Sequence, residues 1–147
     1  MPKVYLDTCS VQRPLDTLNQ TRLRLEAEAI LGILAQIQAD RVELISSTVL
    51  ELEVARNPLA VRRGHGQQVL GQATTIVKVN TALEERAADF AQQGVKAMDA
   101  LHLACAEAAG VDYFCTCDHN LLRKAKKIPL LHMRVMIPLE LAEVLET

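Results

Sequence analysis

The sequence predicts an α/β protein, a mostly parallel sheet covered by helices on both faces. Three observations carry that expectation. Short apolar, β-branched runs alternate with amphipathic runs from end to end of the 147 residues, the pattern of repeated strand–helix–strand units. Two of the apolar runs, 3–6 and 111–117, pass directly into an aspartate, Asp7 and Asp118. Sites in parallel sheets gather at the carboxyl ends of strands. Finally, no internal repeat, linker or low-complexity stretch interrupts the alternation, so residues 1–147 are taken as a single domain, long enough to bury a core.

In chain order, residues 3–6 predict a strand ending at Asp7, and residues 8–16, with Pro14 and several polar side chains, predict a loop. Residues 19–38 carry Leu23, Ala27, Ile30, Leu31, Leu34 and Ile37 on one helical face. Residues 41–46 are a second strand, with Ser47 and Thr48 as candidate N-caps of a short helix over 49–56 that carries Glu51 and Glu53. Pro58 closes it. Residues 59–71, with Arg62, Arg63, His65, Gly64 and Gly66, predict a loop leading into another helix. Residues 74–79 are a third strand, and 81–93 a helix with Gly94 as its cap.

The stretch 95–122 is the centre of the chain. Asp99 opens a short apolar helix that Gly110 ends. Residues 111–117 form a strand, and 121–127 a basic helix with Arg123, Lys124, Lys126 and Lys127. Residues 134–137 are a last strand, and Pro138 starts a final helix running to about Leu145.

Composition excludes several classes of function. Two Phe, two Tyr and no Trp rule out a base-stacking platform. A net charge of −2 rules out a bulk electrostatic grip on nucleic acid, leaving only a local basic patch. The run at 123–127 is such a patch, able to guide a phosphate backbone or simply to form a solvated helix face; Arg56, Arg62 and Arg63 are a second. No stretch approaches the length of a transmembrane helix and the N-terminus lacks the apolar run of a signal peptide, so no membrane is expected. Cys9, Cys105, Cys115 and Cys117 are then expected as reduced thiols in a cytoplasmic protein.

The acids carry the chemistry. Asp7 and Asp118 end strands, Asp99 opens a helix, and one of Glu51 and Glu53 can point inward. Two carboxylates about 4 Å apart repel by about 4 kcal/mol at an effective dielectric near 20. Three or four together need raised pKa values or a cation. Hard oxygen donors favour Mg²⁺ or Mn²⁺, and such an ion can bind phosphate and activate water.

The segments YLDT at 5–8, ISSTVLELEVARNP at 45–58, MDALHLACAEAAGVDYF at 98–114 and TCD at 116–118 resemble the PIN-domain nucleases, which include the toxins of many bacterial toxin–antitoxin pairs. The resemblance spans almost the whole chain, and residues 99–118 are its specific part. It implies an α/β/α sandwich and metal-dependent cleavage of RNA by an acidic quartet. Carried over residue by residue, the quartet is Asp7, a glutamate in 45–58, Asp99 and Asp118. Asp7, Asp99 and Asp118 are the metal ligands and the glutamate completes the shell or positions water. Glu53 fits the family register better than Glu51, which lies about 200° round the helix from it. Thr116 resembles the family's hydroxyl that orients an acid or water, on the same strand face as Asp118 if the strand runs that far. His119 stands where the family often has a second acid, which leaves one or two metals open. The resemblance also implies an RNA substrate, a cognate antitoxin and a homodimer.

Other readings compete. A PIN-like RNA-binding or regulatory module without turnover would share the fold, but all four acid positions are filled. His102, Cys105, Cys115, Cys117 and His119 invite a zinc site, but their spacing is that of no zinc motif and core packing is the simpler reading. Cys9 as a nucleophile would need a paired base that the nearby sequence lacks.

Overall fold

The computed structural model describes residues 1–129 and 132–146. Among these residues, five strands form one sheet in the order β3-β2-β1-β4-β5, and every pairing is parallel. The elements run β1 (Lys3–Leu6), α1 (Thr8–Gln12), a 3-10 turn (Arg13–Leu15), α2 (Thr21–Gln38), β2 (Glu43–Ser47), α3 (Thr48–Ala55), α4 (Ala60–Leu70), β3 (Thr75–Val77), α5 (Thr81–Gln92), α6 (Ala97–Ala108), β4 (Tyr113–Cys115), α7 (His119–Lys126), β5 (Arg134–Met136) and α8 (Pro138–Glu146). This is the three-layer α/β/α sandwich that the sequence and its resemblance predict.

Strand order positions the site. The chain winds outward from β1 through β2 to β3, then returns to lay β4 against the other side of β1. The order therefore reverses between β1 and β4, and a crevice forms at the carboxyl ends of the strands flanking such a reversal. Leu6 pairs with Cys115 at the last step of the β1–β4 register. The Asp7 N–H then donates to the Cys115 carbonyl at 3.2 Å. Asp7, at the end of β1, and Asp118, just past β4, are thus brought to the same crevice by backbone pairing.

The core is apolar on both sheet faces. Val4, Tyr5 and Leu6 of β1 and Phe114 and Cys115 of β4 are fully buried. The Tyr5 and Phe114 rings stack, with centroids 5.3 Å apart. Helix α5 packs on α6, and α2 on α8. Gly94 and Gly110 follow α5 and α6 with positive φ of 97° and 70°, so their lack of Cβ matters there. No described helix is long and apolar enough to cross a membrane.

Two segments depart from the expected pattern. Residues 8–16 are not a loop. Asp7 caps α1 by accepting from the Ser10 N–H at 3.0 Å, and Pro14 sits in the first turn of the 3-10 segment, where its missing N–H is harmless. Residues 60–70 form a continuous helix through Gly64 and Gly66, although glycine disfavours helix. Packing explains Gly66: a Cβ there would lie 2.6 Å from Val54 Cγ1 and 3.0 Å from Gln12 Nε2. Gln12 Nε2 also donates to the Arg62 carbonyl at 3.0 Å, and His65 Nε2 meets the Val11 carbonyl oxygen at 2.8 Å, tying α4 to α1.

Gly66→Ala is expected to destabilise the fold by about 1–3 kcal/mol, because fully buried Val54 cannot move aside. Gly64→Ala meets nothing within 4 Å and is expected to gain up to about 1 kcal/mol from helix propensity. Urea unfolding of the two variants checks this; equal stabilities would show that α4 does not pack as described.

Candidate active site

A cavity of about 420 Å³ opens at the carboxyl rim of the sheet, lined by Asp7, Thr8, Cys9, Gln12, Asp16, Glu53, Arg62, Asp99, His102 and Asp118. The four acids expected from sequence therefore line one cavity. Glu51 does not; it accepts from Ser46 Oγ at 3.2 Å. The two glutamates diverge because residues two apart on a helix face different ways.

Each acid is held by its own local structure. Asp7 follows β1 and is 5 % exposed. Its Oδ1 accepts from the Ser10 N–H and, at 3.0 Å, from the Cys9 thiol. Asp118 caps α7, its Oδ1 accepting from the N–H groups of Asn120 at 2.9 Å and Leu121 at 3.2 Å. Glu53 projects from α3 and accepts from Thr8 Oγ1 at 2.8 Å and from His102 Nε2. Asp99 lies in the first turn of α6, where the N-terminal end of the helix dipole favours negative charge. Among the described residues its carboxylate accepts no hydrogen bond.

The charges feel one another. Burial raises the Asp99 pKa, and the carboxylates of Asp7 and Asp118 push it further up against the opposing pull of His102. Burial would also raise the Glu53 pKa, but the His102 hydrogen bond and charge, with the Thr8 hydroxyl, hold it below the ordinary value. The hydrogen bond to Cys117, then burial, then the Asp7 charge drive the Cys9 thiol far upward. Cys9 is thus a protonated donor to Asp7, the opposite of an activated nucleophile.

The donor set suits a hard divalent cation: carboxylate oxygens, mutual repulsion at Asp99, and room for solvent. The side chains do not stand at joint ligand distance, however. Among the described residues, no three of His, Cys, Asp or Glu are arranged to hold an ion as they are. Asp7, Asp99 and Asp118, the ligands expected from sequence, line one cavity without forming a ready-made ligand set among the described residues. Asp7 and Asp118 are both engaged as helix caps.

The condition for Thr116 to share a strand face with Asp118 is not met. β4 stops at Cys115, so strand alternation does not align 116 with 118. The Thr116 hydroxyl accepts from the Asp118 N–H at 3.0 Å instead, fixing the backbone of the acid. The zinc grouping does not assemble. Cys115 and Cys117 both approach Ser10 Oγ, at 3.7 and 3.8 Å, whereas Cys105 and His102 lie on α6.

Of the basic run, Lys124 shares a shallow cleft with Asp99, Asp118 and Lys96, while Lys126 lines a separate hollow with Met133 and Arg134. Arg123 turns to Asn120. Arg62, on the other side, lines the acid cavity and pairs with Asp16 at 2.9 Å. Sequence reasoning missed the direct pairing of His102 with Glu53. The visible signal was a histidine three residues after Asp99, on the same helix face.

The Asp99 shift fixes a pH dependence in metal-free buffer. A carboxylate whose pKa is raised by folding stabilises the fold below its unfolded value of about 3.9, and that contribution is lost as pH rises through the folded value. Thermal unfolding in EDTA is therefore expected to show Asp99→Asn gaining on the wild type as pH rises, and exceeding it at neutral pH. A variant that loses ground with rising pH would contradict the mutual repulsion.

The sequence matches the family profile described as PIN domain over residues 4–127. No curated protein sequence matches it. Several solved structures share its fold. FitAcB from Neisseria gonorrhoeae matches with a TM-score of 0.60 and 18% identity over 92% of this chain and 97% of that one. VapBC2 from Rickettsia felis, bound to a DNA fragment from its promoter, matches at 0.58 and 11% over 92% and 98%. VapC20 from Mycobacterium tuberculosis, described as a sarcin–ricin loop cleaving toxin, matches at 0.56 and 14% over 89% and 98%.

Proposed function

The chain belongs to the PIN domain family, and from that premise we propose that it is a Mg²⁺- or Mn²⁺-dependent endoribonuclease, the toxin of a toxin–antitoxin pair. One observation carries the reading: Asp7, Glu53, Asp99 and Asp118, from four separate segments, line one cavity at the carboxyl rim of the sheet. The description of VapC20 as a sarcin–ricin loop cleaving toxin supports the toxin reading.

Asp7, Asp99 and Asp118 would hold the ion, and Glu53 would complete its shell or position water. When bound, a divalent ion supplies charge stabilisation at a phosphate oxygen and a water of lowered pKa. The chain's residues do the rest. The Cys9 thiol and the Ser10 N–H orient Asp7. The N-terminus of α7 and the Thr116 hydroxyl orient Asp118. Thr8 and His102 hold Glu53. Arg62 at the cavity, and Lys96 and Lys124 beside Asp99 and Asp118, supply positive charge where a phosphate backbone would approach. Arg123, Lys126 and Lys127 are exposed on or just beyond α7 and would act at longer range. Partners on this reading are RNA, a cognate antitoxin and a second copy of the chain, in the cytoplasm.

A second reading is an RNA-binding module without turnover, since among the described residues no three acids are arranged to hold an ion as they stand. Incubation with assorted RNAs in Mn²⁺, with an EDTA control, separates the two. The wild type is expected to cut RNA only with the metal, and Asp7→Asn and Asp99→Asn to reduce cutting to background with the fold intact by circular dichroism. Undiminished cutting by both variants would contradict the assignment.

A further inference from the structure

Glu53 reaches the cavity on a side chain that α3 alone leaves free to rotate. Two donors remove that freedom, and both act on the same oxygen. Thr8 Oγ1 donates to Oε1 at 2.8 Å, and His102 Nε2 bonds Oε1 as well. A carboxylate only accepts, so Nε2 carries the proton. Among the described residues, Oε2 takes no hydrogen bond.

The imidazole is fixed from behind. Nδ1 lies 2.6 Å from the Tyr5 hydroxyl, which lies 2.7 Å from Ser47 Oγ. Ser47 Oγ accepts from the Leu50 N–H at 3.1 Å, capping α3, the helix that carries Glu53. The chain of contacts closes on itself: Glu53, His102, Tyr5, Ser47 and back to α3. His102 is 2 % exposed, and Tyr5 and Ser47 are fully buried. Stacking on Phe114 fixes the Tyr5 ring in turn. Burial costs a polar ring its hydration unless both nitrogens are engaged. An apolar side chain would fill this space without that requirement.

We propose that His102 is a positioning residue: backed by Tyr5 and Ser47, it clamps Glu53 Oε1 so that Oε2 is presented to the cavity, where a divalent ion and its water would be held. The clamp rests on the ribonuclease reading above.

The test measures Mn²⁺ affinity, from the electron paramagnetic resonance of free Mn²⁺, beside kcat and KM on an RNA the wild type cuts. His102→Leu is expected to lower kcat and Mn²⁺ affinity by about 10–100-fold, with KM changed by less than about twofold. His102→Gln should recover most of both, because its amide N–H can donate to Oε1 from nearly the same place. In an E53Q background, His102→Leu should cost nothing further. His102→Leu with wild-type values, His102→Gln no better than His102→Leu, or additive losses in E53Q would each overturn the clamp. If His102→Leu does not fold, Tyr5→Phe keeps the ring and removes one hydroxyl; a several-fold loss of kcat is expected, and an unchanged Tyr5→Phe overturns the clamp. A wild type that binds Mn²⁺ but cuts no RNA refutes the ribonuclease reading, and the Mn²⁺ affinities alone then judge the clamp. A wild type that binds no Mn²⁺ overturns both.

Discussion

Like-charge repulsion among four carboxylates around one cavity is the constraint on which the site depends. Folding brings Asp7, Glu53, Asp99 and Asp118 to one rim, and nothing in an apolar core would favour that. What holds them is a set of donors: helix N–H groups at Asp7 and Asp118, a thiol at Asp7, and the His102 imidazole with the Thr8 hydroxyl at Glu53. Asp99 lacks such a donor among the described residues, and burial together with the charges of Asp7 and Asp118 raises its pKa. The same contacts are structural. Asp7 starts α1 and Asp118 starts α7, so the acids of the candidate site also cap the helices that frame it.

Sheet order explains why these residues meet although they lie far apart in sequence. Only the strands flanking the reversal of winding, β1 and β4, end at the crevice side by side. The helices then add the remaining acids: α3, entered directly from β2, brings Glu53, and α6, which precedes β4, brings Asp99. Gly66 lets α4 pack close on α3 and α1, and Arg62, one turn earlier, reaches the cavity. Fold and site therefore share residues, and the tight packing behind the site supports its geometry.

Much of this was legible in the chain. An apolar strand that runs into an aspartate is costly unless the acid has a task, which marked Asp7 and Asp118. Helical periodicity put Glu51 and Glu53 on different faces, the family resemblance favoured Glu53, and the structure turns only Glu53 to the cavity. Three things were not legible. The segment after Asp7 reads as a loop because its polar residues and Pro14 lower helix propensity, while the capping by Asp7 that starts α1 looks the same as a site acid. The α4 helix is obscured by Gly64 and Gly66, and only the neighbouring Val54 reveals why residue 66 must be small. His102 reads as a core residue because its partners, Tyr5 and Glu53, are 97 and 49 residues away. Periodicity records which face a residue occupies; it does not record what waits on the other side.

The basic residues divide in the same way. A run of like charge in sequence becomes two sides of one helix, with Lys124 near the acids and Lys126 turned to another hollow. Arg62, far from that run, contributes a cation to the cavity itself. The central claim is that carboxylates distant along the chain form one cation site. Anomalous diffraction from a crystal grown with Mn²⁺ tests it most directly. A manganese peak within bonding distance of Asp7, Asp99 and Asp118 oxygens is expected, with Asp7 and Asp118 still capping their helices. A cavity that stays free of manganese, with the ion bound elsewhere on the molecule, would contradict it.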